Sequence, residues 1–350
     1  MTRVIAKYDG EIERLAAAQT GDERAFEELT QPLQRELHVH CYRMLGTLDD
    51  ADYALQETLV RAWRNLDRFE SRAPFRAWLY QIATNVCLTM LARRARRREI
   101  ALMSPEDGRE NASPREGEPV HLQPYPDHLF EELSSHLPGP EATIERREGI
   151  ELAFVAAVQL LPPRQRAALL LRDVIGYSAA EVAPILETSI AGINSALQRA
   201  RATLAQERAN SRVTRAHTPP SAATEKALVD RLVTAWHAAD VPSIVAILTE
   251  DALFSMPPLP EHFVGRNAIA AFLATGPAQG RLDRFRLVPT RANRQPALAA
   301  YWRDADEGPF HAHGIVVIAI TGEEIASLTR FGDPALFSHF ELPMTVDGES

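Results

Sequence analysis

The sequence predicts a multidomain protein with two all-α domains joined by a flexible linker and an α+β domain at the C-terminus. Apolar residues recur at every third and fourth position in residues 1–98 and again in residues 143–209, as they do on the buried face of a helix. Residues 99–142 are rich in Pro, Gly, Glu and Ser and have no sustained period. In residues 224–350, helical stretches are followed by strands, which is the order of an α+β fold.

The composition fits a globular protein and excludes several other classes. Of the 350 residues, 45% are hydrophobic and 24% are charged, which is enough to bury a sizeable core. A run of about 18 apolar residues is missing, which excludes a membrane span, and the N-terminus has no apolar signal-peptide core. The two cysteines, Cys41 and Cys87, cannot form a disulfide framework and lack metal-site spacing. We therefore expect a cytoplasmic protein without a metal or another cofactor.

The net charge of −9 conceals an uneven distribution along the chain. The net charge is +2 over residues 1–98, −8 over 99–149, +3 over 150–215 and −6 over 224–350. Two mildly basic blocks therefore flank an acidic spacer, and a second acidic block follows them. Because nucleic acid attracts basic segments, the two blocks leave DNA or RNA binding open although the total charge argues against it.

The first domain is predicted to consist of helices. One apolar stripe runs along residues 51–66 and a second along residues 73–91. A short loop that contains an aromatic residue, 67–74, lies between them, and the domain ends in an arginine cluster at 93–98.

A polar stripe on the second of these helices is a candidate nucleic-acid surface. It consists of Trp78, Gln81 and Asn85. Bases stack on aromatic rings and amides bind base edges, so this set suits a single nucleic-acid strand. The alternative is that Trp78 belongs to the core and that the arginines form a solvated helix end.

One piece of the linker differs from its surroundings. The segment LQPYPD at 122–127 carries apolar residues that a plain spacer would not need. We expect this segment to dock on another surface of the protein.

The second domain contains a predicted helix-turn-helix. Pro162 and Pro163 begin one helix and Gly176 ends it, while Ser178 and Glu181 have the spacing of a capping box for the next helix.

A further helix of this domain starts after Ser189 and has an exposed polar face. That face carries Asn194, Ser195, Gln198, Arg199 and Arg201. Such side chains pair with adenine or guanine in the major groove, whereas the alternative is a helical hairpin with a polar face.

The C-terminal domain follows a second linker at 210–223. Helices are predicted at 224–239, 243–248 and 267–275. Strands are predicted at 285–288, 298–302, 310–320 and 324–330, and we expect them to form an antiparallel sheet.

Long stretches of both helical domains resemble a known family. In the first domain they are AFEEL at 25–29, DADYALQETLVRAWR at 50–64 and FRAWLYQIATNVCL at 75–88. In the second domain they are LPPRQRAALLLRDVIGYS at 161–178 and NSALQRAR at 194–201. They resemble regions 2 and 4 of bacterial sigma factors of the sigma-70 family, specifically the extracytoplasmic-function (ECF) class.

The resemblance implies a sigma factor that directs core RNA polymerase to specific promoters and initiates promoter melting. Region 2 would be 1–98, with its helical bundle, and region 4 would be 143–209, separated by the acidic linker at 99–142. The implied partners are the RNA polymerase core, through the clamp helices of its largest subunit and its flap, and promoter DNA.

The resemblance also implies roles for single residues. The surface that docks on the clamp helices corresponds to Asp52, Gln56, Glu57, Arg61 and Trp63. The site that recognises the −10 element and captures a flipped base corresponds to Phe69, Arg76, Trp78, Gln81 and Asn85. The −35 element is recognised at the positions of Asn194, Ser195, Gln198, Arg199 and Arg201.

Three positions depart from the family pattern. Tyr53 stands where the family has a conserved carboxylate, which puts one polymerase contact in doubt. Pro184 lies inside the first helix of the helix-turn-helix, where it removes a backbone hydrogen bond. Glu187 occupies a turn position that is often glycine.

The C-terminal domain, 224–350, resembles the SnoaL-like, NTF2-like cone that some ECF sigma factors carry. The motifs are MPPLP at 256–260, VGRNAI at 264–269 and DPALFSHF at 333–340, and with LQPYPD they resemble the subgroup related to sigma-G of mycobacteria. The resemblance implies a domain that modulates sigma activity and a cavity that is a candidate site for a small-molecule ligand. The candidate wall residues are Trp236, Phe254, Met256, His262, Phe263, Trp302, His313 and Phe331.

Two other interpretations remain open. One is a free-standing DNA-binding regulator that acts without polymerase, although the complete region 2 block argues against it. The other is an enzyme fused to a DNA-binding module, in which His311, His313 and Asp333 would supply acid–base chemistry. Because the sequence offers no convincing nucleophile–base pair, we expect no enzymatic activity.

Overall fold

The computed structural model of the chain describes residues 2–70, 73–103, 122–131, 151–210, 220–259, 261–305 and 307–347. The chain divides into two compact units. The described residues of 2–103 and 158–203 form the helical unit, and those of 122–131, 151–157 and 204–347 form the α+β unit. Most described residues of the two predicted helical domains thus belong to one unit. Within the described ranges, no helix has the length and apolar character needed to cross a membrane.

Long helices build the region 2 part of the helical unit. They are α1 (Thr2–Gln19), α2 (Glu23–Leu45), α3 (Leu48–Arg64) and α4 (Phe75–Met103). Asp22 caps the start of α2 by accepting hydrogen bonds from the backbone N–H groups of Arg24 and Ala25. Gly46 ends α2 with a φ of 88°, a left-handed conformation that glycine adopts without strain. The buried core includes Leu37, Tyr42, Leu45, Leu48, Ala54, Leu79 and Ala83.

The last helix of region 2 extends past residue 98, the predicted end of the first domain. Helix α4 passes through the arginine cluster and continues to Met103, five residues into the predicted linker. The residues 99–103, EIALM, are mostly good helix formers, so no local signal stops the helix there. Linker residues 104–121 and 132–150 lie outside the described residues.

The region 4 part of the helical unit contains the predicted helix-turn-helix. The helices of region 4 are α6 (Leu152–Gln159), α7 (Pro163–Leu169), α8 (Ala179–Ile185) and α9 (Ile190–Asn210), and a wider turn at Leu170–Val174 continues α7. The first six residues of α6 and the last seven of α9 are assigned to the α+β unit. The capping box is present, because the Ser178 N–H donates to Glu181 and the Glu181 N–H donates to Ser178. Helix α8 ends one residue after Pro184, and Glu187 has a φ of 48° in the turn. The two departures from the family pattern therefore lie at the end of a short helix and in the turn that follows it, and the helix-turn-helix still forms.

The α+β unit is built on a mixed sheet. In the described part of the unit its order is β2-β1-β6-β5-β4-β3, with β7 paired to β5. The strands are β1 (Leu248–Ser255), β2 (His262–Val264), β3 (Phe285–Ala292), β4 (Gln295–Trp302), β5 (Phe310–Thr321), β6 (Glu324–Phe331) and β7 (Thr345–Val346). The helices are α5 (His128–Glu131), α10 (Ala222–His237), α11 (Val241–Ala246), α12 (Arg266–Thr275) and α13 (Leu336–His339). Apolar side chains of α10, α11 and α12 pack on the sheet to form one core.

Two expectations for this domain are corrected. The helix predicted at 243–248 ends at Ala246, and Leu248 begins β1, which the sequence analysis missed. The sheet is not purely antiparallel, because β1 runs parallel to β6. The segment around Leu248 is a short apolar run, and such a run does not distinguish a helix end from a buried strand.

Candidate functional site

Helix α3 carries the residues expected to contact polymerase. Gln56 is exposed, Glu57 and Arg61 form an ion pair of 2.7 Å one turn apart, and Trp63 is half-buried against the ring of Phe26. Asp52 is exposed and has its Oδ1 3.0 Å from Nε2 of His38. The helix thus presents a surface on which two of the five predicted side chains are exposed and the other three are half-buried.

Two apolar side chains on the same helix were not predicted as part of this surface. Tyr53 is 54% exposed and Val60 is 43% exposed, although both are large and hydrophobic. They lie seven residues apart and therefore share a helix face, which passes close to Glu57. Exposed apolar side chains grouped on one face indicate a protein contact. The departure at Tyr53 was the only sequence signal.

Three aromatic rings meet at the start of α4. The centroid of Trp78 lies 4.9 Å from that of Phe69 and 5.7 Å from that of Phe75. Gln19 donates hydrogen bonds from Nε2 to the carbonyls of Leu66 and Phe69, so the chain before the loop is fixed. Phe69 is buried in this cluster, whereas Trp78 is only half-buried.

The polar stripe of α4 begins at that cluster. Gln81 and Asn85 are half-buried and follow Trp78 at intervals of three and four residues, so the three side chains lie along one helix face. The structure therefore brings together an aromatic ring and two amides, as the sequence predicted. Loop residues 71 and 72 lie outside the described residues.

Arg76 is held by other side chains of the protein and is not part of the polar stripe of α4. Its Nε and Nη2 donate to the two carboxylate oxygens of Glu36 at 2.6 and 2.9 Å, and its Nη1 donates to the hydroxyl of Tyr177 at 3.3 Å. The guanidinium also lies over the ring of Tyr80, 4.9 Å from its centroid. Burial is the largest single influence and opposes the charge of Arg76, but the hydrogen bonds to Glu36 together with the charge interactions of Glu36, Tyr80 and Tyr177 raise the pKa of Arg76. In this conformation Arg76 connects region 2 to Tyr177, which lies two residues before α8.

Helix α9 displays most of the predicted −35 residues. Asn194, Ser195, Gln198 and Arg199 are exposed, while Ile193, Leu197 and Ala200 are buried beneath them.

Arg201 differs from the other four because it is engaged within the protein. Its Nε and Nη2 donate to the two oxygens of Asp173 at 3.0 and 2.7 Å, and this pairing raises the pKa of Arg201. This pair was not predictable from the sequence, because its partners lie 28 residues apart.

Arg166 joins region 4 to the end of α2. The side chain is buried and donates to the carbonyls of Met44, Gln159 and Leu161 and to Oε1 of Gln159. Gln159 in turn donates from Nε2 to the carbonyl of Arg43 at 2.8 Å. Burial lowers the pKa of Arg166 to about 10, so the side chain remains charged at neutral pH.

The apolar segment of the linker docks on the α+β unit. Tyr125 and Asn293 exchange two hydrogen bonds: the Tyr125 N–H donates to Oδ1 of Asn293 at 2.9 Å, and the Asn293 N–H donates to the Tyr125 carbonyl at 2.8 Å. Pro126 forms an antiparallel bridge with Ala292 at the end of β3. Tyr125 is fully buried and stacks on Phe130 with centroids 4.4 Å apart. The prediction that this segment docks on another surface is confirmed.

The half-buried carboxylate of Asp127 completes this contact. Oδ1 of Asp127 accepts from the backbone N–H of Arg294 at 2.6 Å, and Oδ2 accepts from Nε of Arg291 at 3.1 Å. Arg291 also donates to Glu225 near the start of α10. Burial raises the pKa of Asp127 and outweighs the hydrogen bonds and charges of the two arginines. We refer to residues 122–131 in this position as the docked linker segment.

The cone contains a cavity of about 380 Å³. Five of the eight predicted wall residues line it, and they are Trp236, Phe254, Met256, Trp302 and His313. The other three do not line it. His262 is exposed on the edge strand β2, Phe263 stacks on Phe272 with centroids 4.1 Å apart, and Phe331 is buried elsewhere in the domain.

Two polar side chains meet in the cavity wall. Nη2 of Arg330 donates to Nε2 of His313 at 2.6 Å, so the imidazole carries its proton on Nδ1. Burial and the charge of Arg330 lower the pKa of His313 to about 4. His311 is exposed, and Asp333 accepts a hydrogen bond from the Ala335 N–H, so the three predicted acid–base residues do not form a hydrogen-bonded set. The structure does not assemble the hypothesised catalytic site.

Three known families match separate parts of the chain. The family described as Sigma-70 region 2 matches residues 29–97, Sigma-70 region 4 matches residues 151–204, and the SnoaL-like domain matches residues 229–328.

Similar proteins include sigma factors, and two of them cover nine-tenths or more of the chain. The chain is 39% identical over 332 residues to the ECF RNA polymerase sigma factor SigG of Mycobacterium tuberculosis, with 92% of this chain and 85% of SigG covered. It is 31% identical over 183 residues to the RNA polymerase sigma-H factor of Pseudomonas aeruginosa, which covers 52% of this chain and 86% of that protein. The crystal structure of the extracytoplasmic-function sigma factor SigJ of M. tuberculosis shares the fold, with a TM-score of 0.57, 22% identity, and coverage of 91% of this chain and 99% of SigJ.

Proposed function

The chain belongs to the ECF class of RNA polymerase sigma factors, which direct core polymerase to promoters and initiate melting, and we propose that separate surfaces of it carry out these steps. The C-terminal SnoaL-like domain modulates this activity. The observation that carries the proposal is the exposed polar face of α9 within a helix-turn-helix, on a chain that also presents the aromatic and amide stripe of α4. Since promoters and core polymerase are found in the cytoplasm, we place the protein there.

We propose that α3 binds the clamp helices of the largest polymerase subunit and that region 4 binds the flap. The exposed Gln56 and the Glu57–Arg61 pair supply polar contacts, and the exposed Tyr53 and Val60 supply apolar contacts. Tyr53 replaces the expected carboxylate, so an apolar contact takes the place of one polar contact. This gives the surface the mixed character of a specific protein interface.

We propose that the α4 stripe captures a base of the melted −10 element. Trp78 provides a stacking surface, and Gln81 and Asn85 provide donors and acceptors for a base edge. Phe69 supports this site from the buried side by packing on Trp78. Arg76 would have to leave Glu36 and Tyr177 before it could contact DNA.

Replacing Asn85 with alanine is expected to impair promoter opening more than polymerase binding, because Asn85 lies on α4 and not on the α3 surface. Run-off transcription and permanganate footprinting with core polymerase measure opening, and a pull-down with core polymerase measures binding. Gln56→Ala is the matched control, for which we expect the opposite pattern. Loss of core binding by Asn85→Ala, with normal opening of the complexes that form, would contradict the assignment.

We propose that the exposed face of α9 binds base edges of the −35 element. Replacing Arg199 with alanine is expected to cost about 1–3 kcal/mol of discrimination between the matched and mutated −35 sites. Arg201→Ala is the matched control, because the Asp173 carboxylate already holds that guanidinium. Affinity on both sites at two salt concentrations separates base contacts from phosphate contacts, since loss of a phosphate contact weakens binding to all sequences and reduces the salt dependence. Equal effects of the two substitutions would count against base contact by Arg199.

We propose that the C-terminal domain regulates and does not catalyse. The low pKa of His313 makes it a weak base, and its Nε2 is occupied by Arg330. We further propose that a small molecule in the cavity influences the domain, and that the domain acts on transcription through the docked linker segment.

Run-off transcription by the full chain with core polymerase, at promoters chosen from genomic DNA, tests the sigma function. Failure to support initiation at any of these promoters would refute it.

A further inference from the structure

The cavity of the C-terminal domain combines an apolar wall with an isolated cationic group. Its lining includes the rings of Trp236, Phe254 and Trp302 and the side chain of Met256. Arg330 lines the same cavity, and its guanidinium is half-buried. Volumes of this size are typical of sites for small ligands.

Arg330 has no acidic partner among the described residues. Its only side-chain hydrogen bond there is the one to His313, which is a neutral acceptor. The other partly buried arginines discussed above either pair with a carboxylate or, like Arg166, donate to several carbonyls. Burial alone lowers the pKa of Arg330, and no neighbouring carboxylate offsets it. An uncompensated charge in an apolar site is costly unless a counter-charge arrives from outside.

A second donor in the wall is also unsatisfied. The indole N–H of Trp236 is buried and has no hydrogen-bond acceptor in the described chain. In contrast, the indole N–H of Trp302 donates to Asp304 at 2.7 Å. Buried indole N–H groups usually have a partner, so this donor is a second unsatisfied polar group in a residue of the cavity wall.

We propose that the cavity binds a small carboxylic acid with an apolar body, whose carboxylate pairs with Arg330 and whose apolar part lies among Trp236, Phe254 and Trp302. This inference deepens the ligand role proposed above for the cavity and rests on it for its regulatory meaning. The planar guanidinium pairs with a carboxylate through two parallel hydrogen bonds, and the apolar wall suits an aliphatic or aromatic body.

The same groups disfavour other ligand classes. A cationic ligand would be repelled by Arg330, and a sugar-like ligand would leave its hydroxyls unpaired against the apolar wall. His313 uses its acceptor nitrogen for Arg330 and so fixes the guanidinium. The only charge that the described lining offers is therefore positive, which selects for an anion.

Isothermal titration calorimetry on the full-length protein tests the proposal. The probes are decanoate and 2-naphthoate, which separate an aliphatic from an aromatic acid, with decanol and decylammonium as controls of matched shape. We expect at least one acid to bind about tenfold or more tightly than decanol, because a hydrogen-bonded ion pair is added, and we expect decylammonium not to bind. Binding of decanol as tightly as the acids, or no binding of either acid, would overturn the proposal.

Variants locate the contact. Arg330→Gln is expected to reduce acid affinity about tenfold or more, without loss of thermal stability of the ligand-free protein, because it removes an uncompensated charge. Arg281→Gln is the control, since that arginine is exposed and pairs with Asp283. Trp236→Phe keeps an aromatic ring and is expected to weaken acid binding several-fold. Unchanged acid affinity in Arg330→Gln would overturn the proposal. If that variant fails to fold, the preference of the wild-type protein for the acids over decanol and decylammonium decides whether the proposal stands.

Transcription is measured separately from binding. Run-off activity of the wild-type protein without added acid reports on the sigma function, and calorimetry reports on the ligand class. A protein that supports initiation but discriminates against neither decanol nor decylammonium would refute the ligand class and leave the sigma function standing.

Discussion

Replacing Arg166 with alanine is expected to lower the free energy of unfolding of the helical unit by about 3–5 kcal/mol. The substitution leaves three backbone carbonyls and the side-chain oxygen of Gln159 without their common donor. These acceptors are buried, so water does not replace the guanidinium without a rearrangement. Denaturant titration followed by hydrogen exchange at the end of α2 and in α6 and α7 measures the effect.

Arg164→Ala is the matched control for this prediction. Arg164 is exposed and lies only two positions before Arg166 on α7. Its loss should change the free energy of unfolding by no more than about 0.5 kcal/mol, as is usual for surface positions. If both variants unfolded alike, the hydrogen bonds of Arg166 could not be what holds region 4 to the end of α2.

Replacing Tyr125 with alanine is expected to release the docked linker segment from the C-terminal domain. The ring is fully buried and stacks on Phe130, and truncation of a buried aromatic side chain costs about 3–5 kcal/mol. Asp127→Ala should have a similar effect, because it removes the acceptor for Arg291 and for the Arg294 N–H. Faster hydrogen exchange of residues 122–131 is the direct measurement.

Both variants are expected to change run-off transcription, and in the same direction, because both free the same segment. Lys226→Ala is the control: Lys226 is exposed on α10 next to Glu225 and pairs only with Asp230 in the described chain. The direction of the shared change shows whether docking activates or restrains the sigma factor. Normal transcription by both variants, despite faster exchange of the segment, would mean that the docked linker segment does not transmit regulation.

Local signals in the sequence predicted local structure well. The spacing of Ser178 and Glu181 predicted the capping box because both partners lie within one helical turn. The apolar LQPYPD segment predicted a docking event, since Tyr125 and Leu122 would otherwise be exposed to water. The alternation of buried and polar positions on α9 predicted which side chains are exposed, and the sigma family followed from long motifs in order.

Features that depend on distant partners were not predictable in this way. Arg76 and Arg201 looked equivalent to Arg199 in the sequence, but Glu36 and Asp173 neutralise the first two. Phe69 was predicted as a DNA contact, although packing against Trp78 buries it. The isolation of Arg330 was likewise hidden, because a missing partner is a property of the folded neighbourhood and not of any motif.

The hydrogen bonds of Arg291 have a further consequence for the path of the chain. Asp127 precedes region 4 in the sequence and Glu225 follows it, yet one guanidinium holds both carboxylates. The intervening chain, which includes region 4, therefore forms a closed loop whose two ends are fixed at the same point of the C-terminal domain. A loop fixed at both ends has lower conformational entropy than a chain fixed at one end. Breaking the contact at Asp127 would release one of these two ends and leave every residue of region 4 unaltered, so a change in transcription by Asp127→Ala would be traced to the loss of this closure.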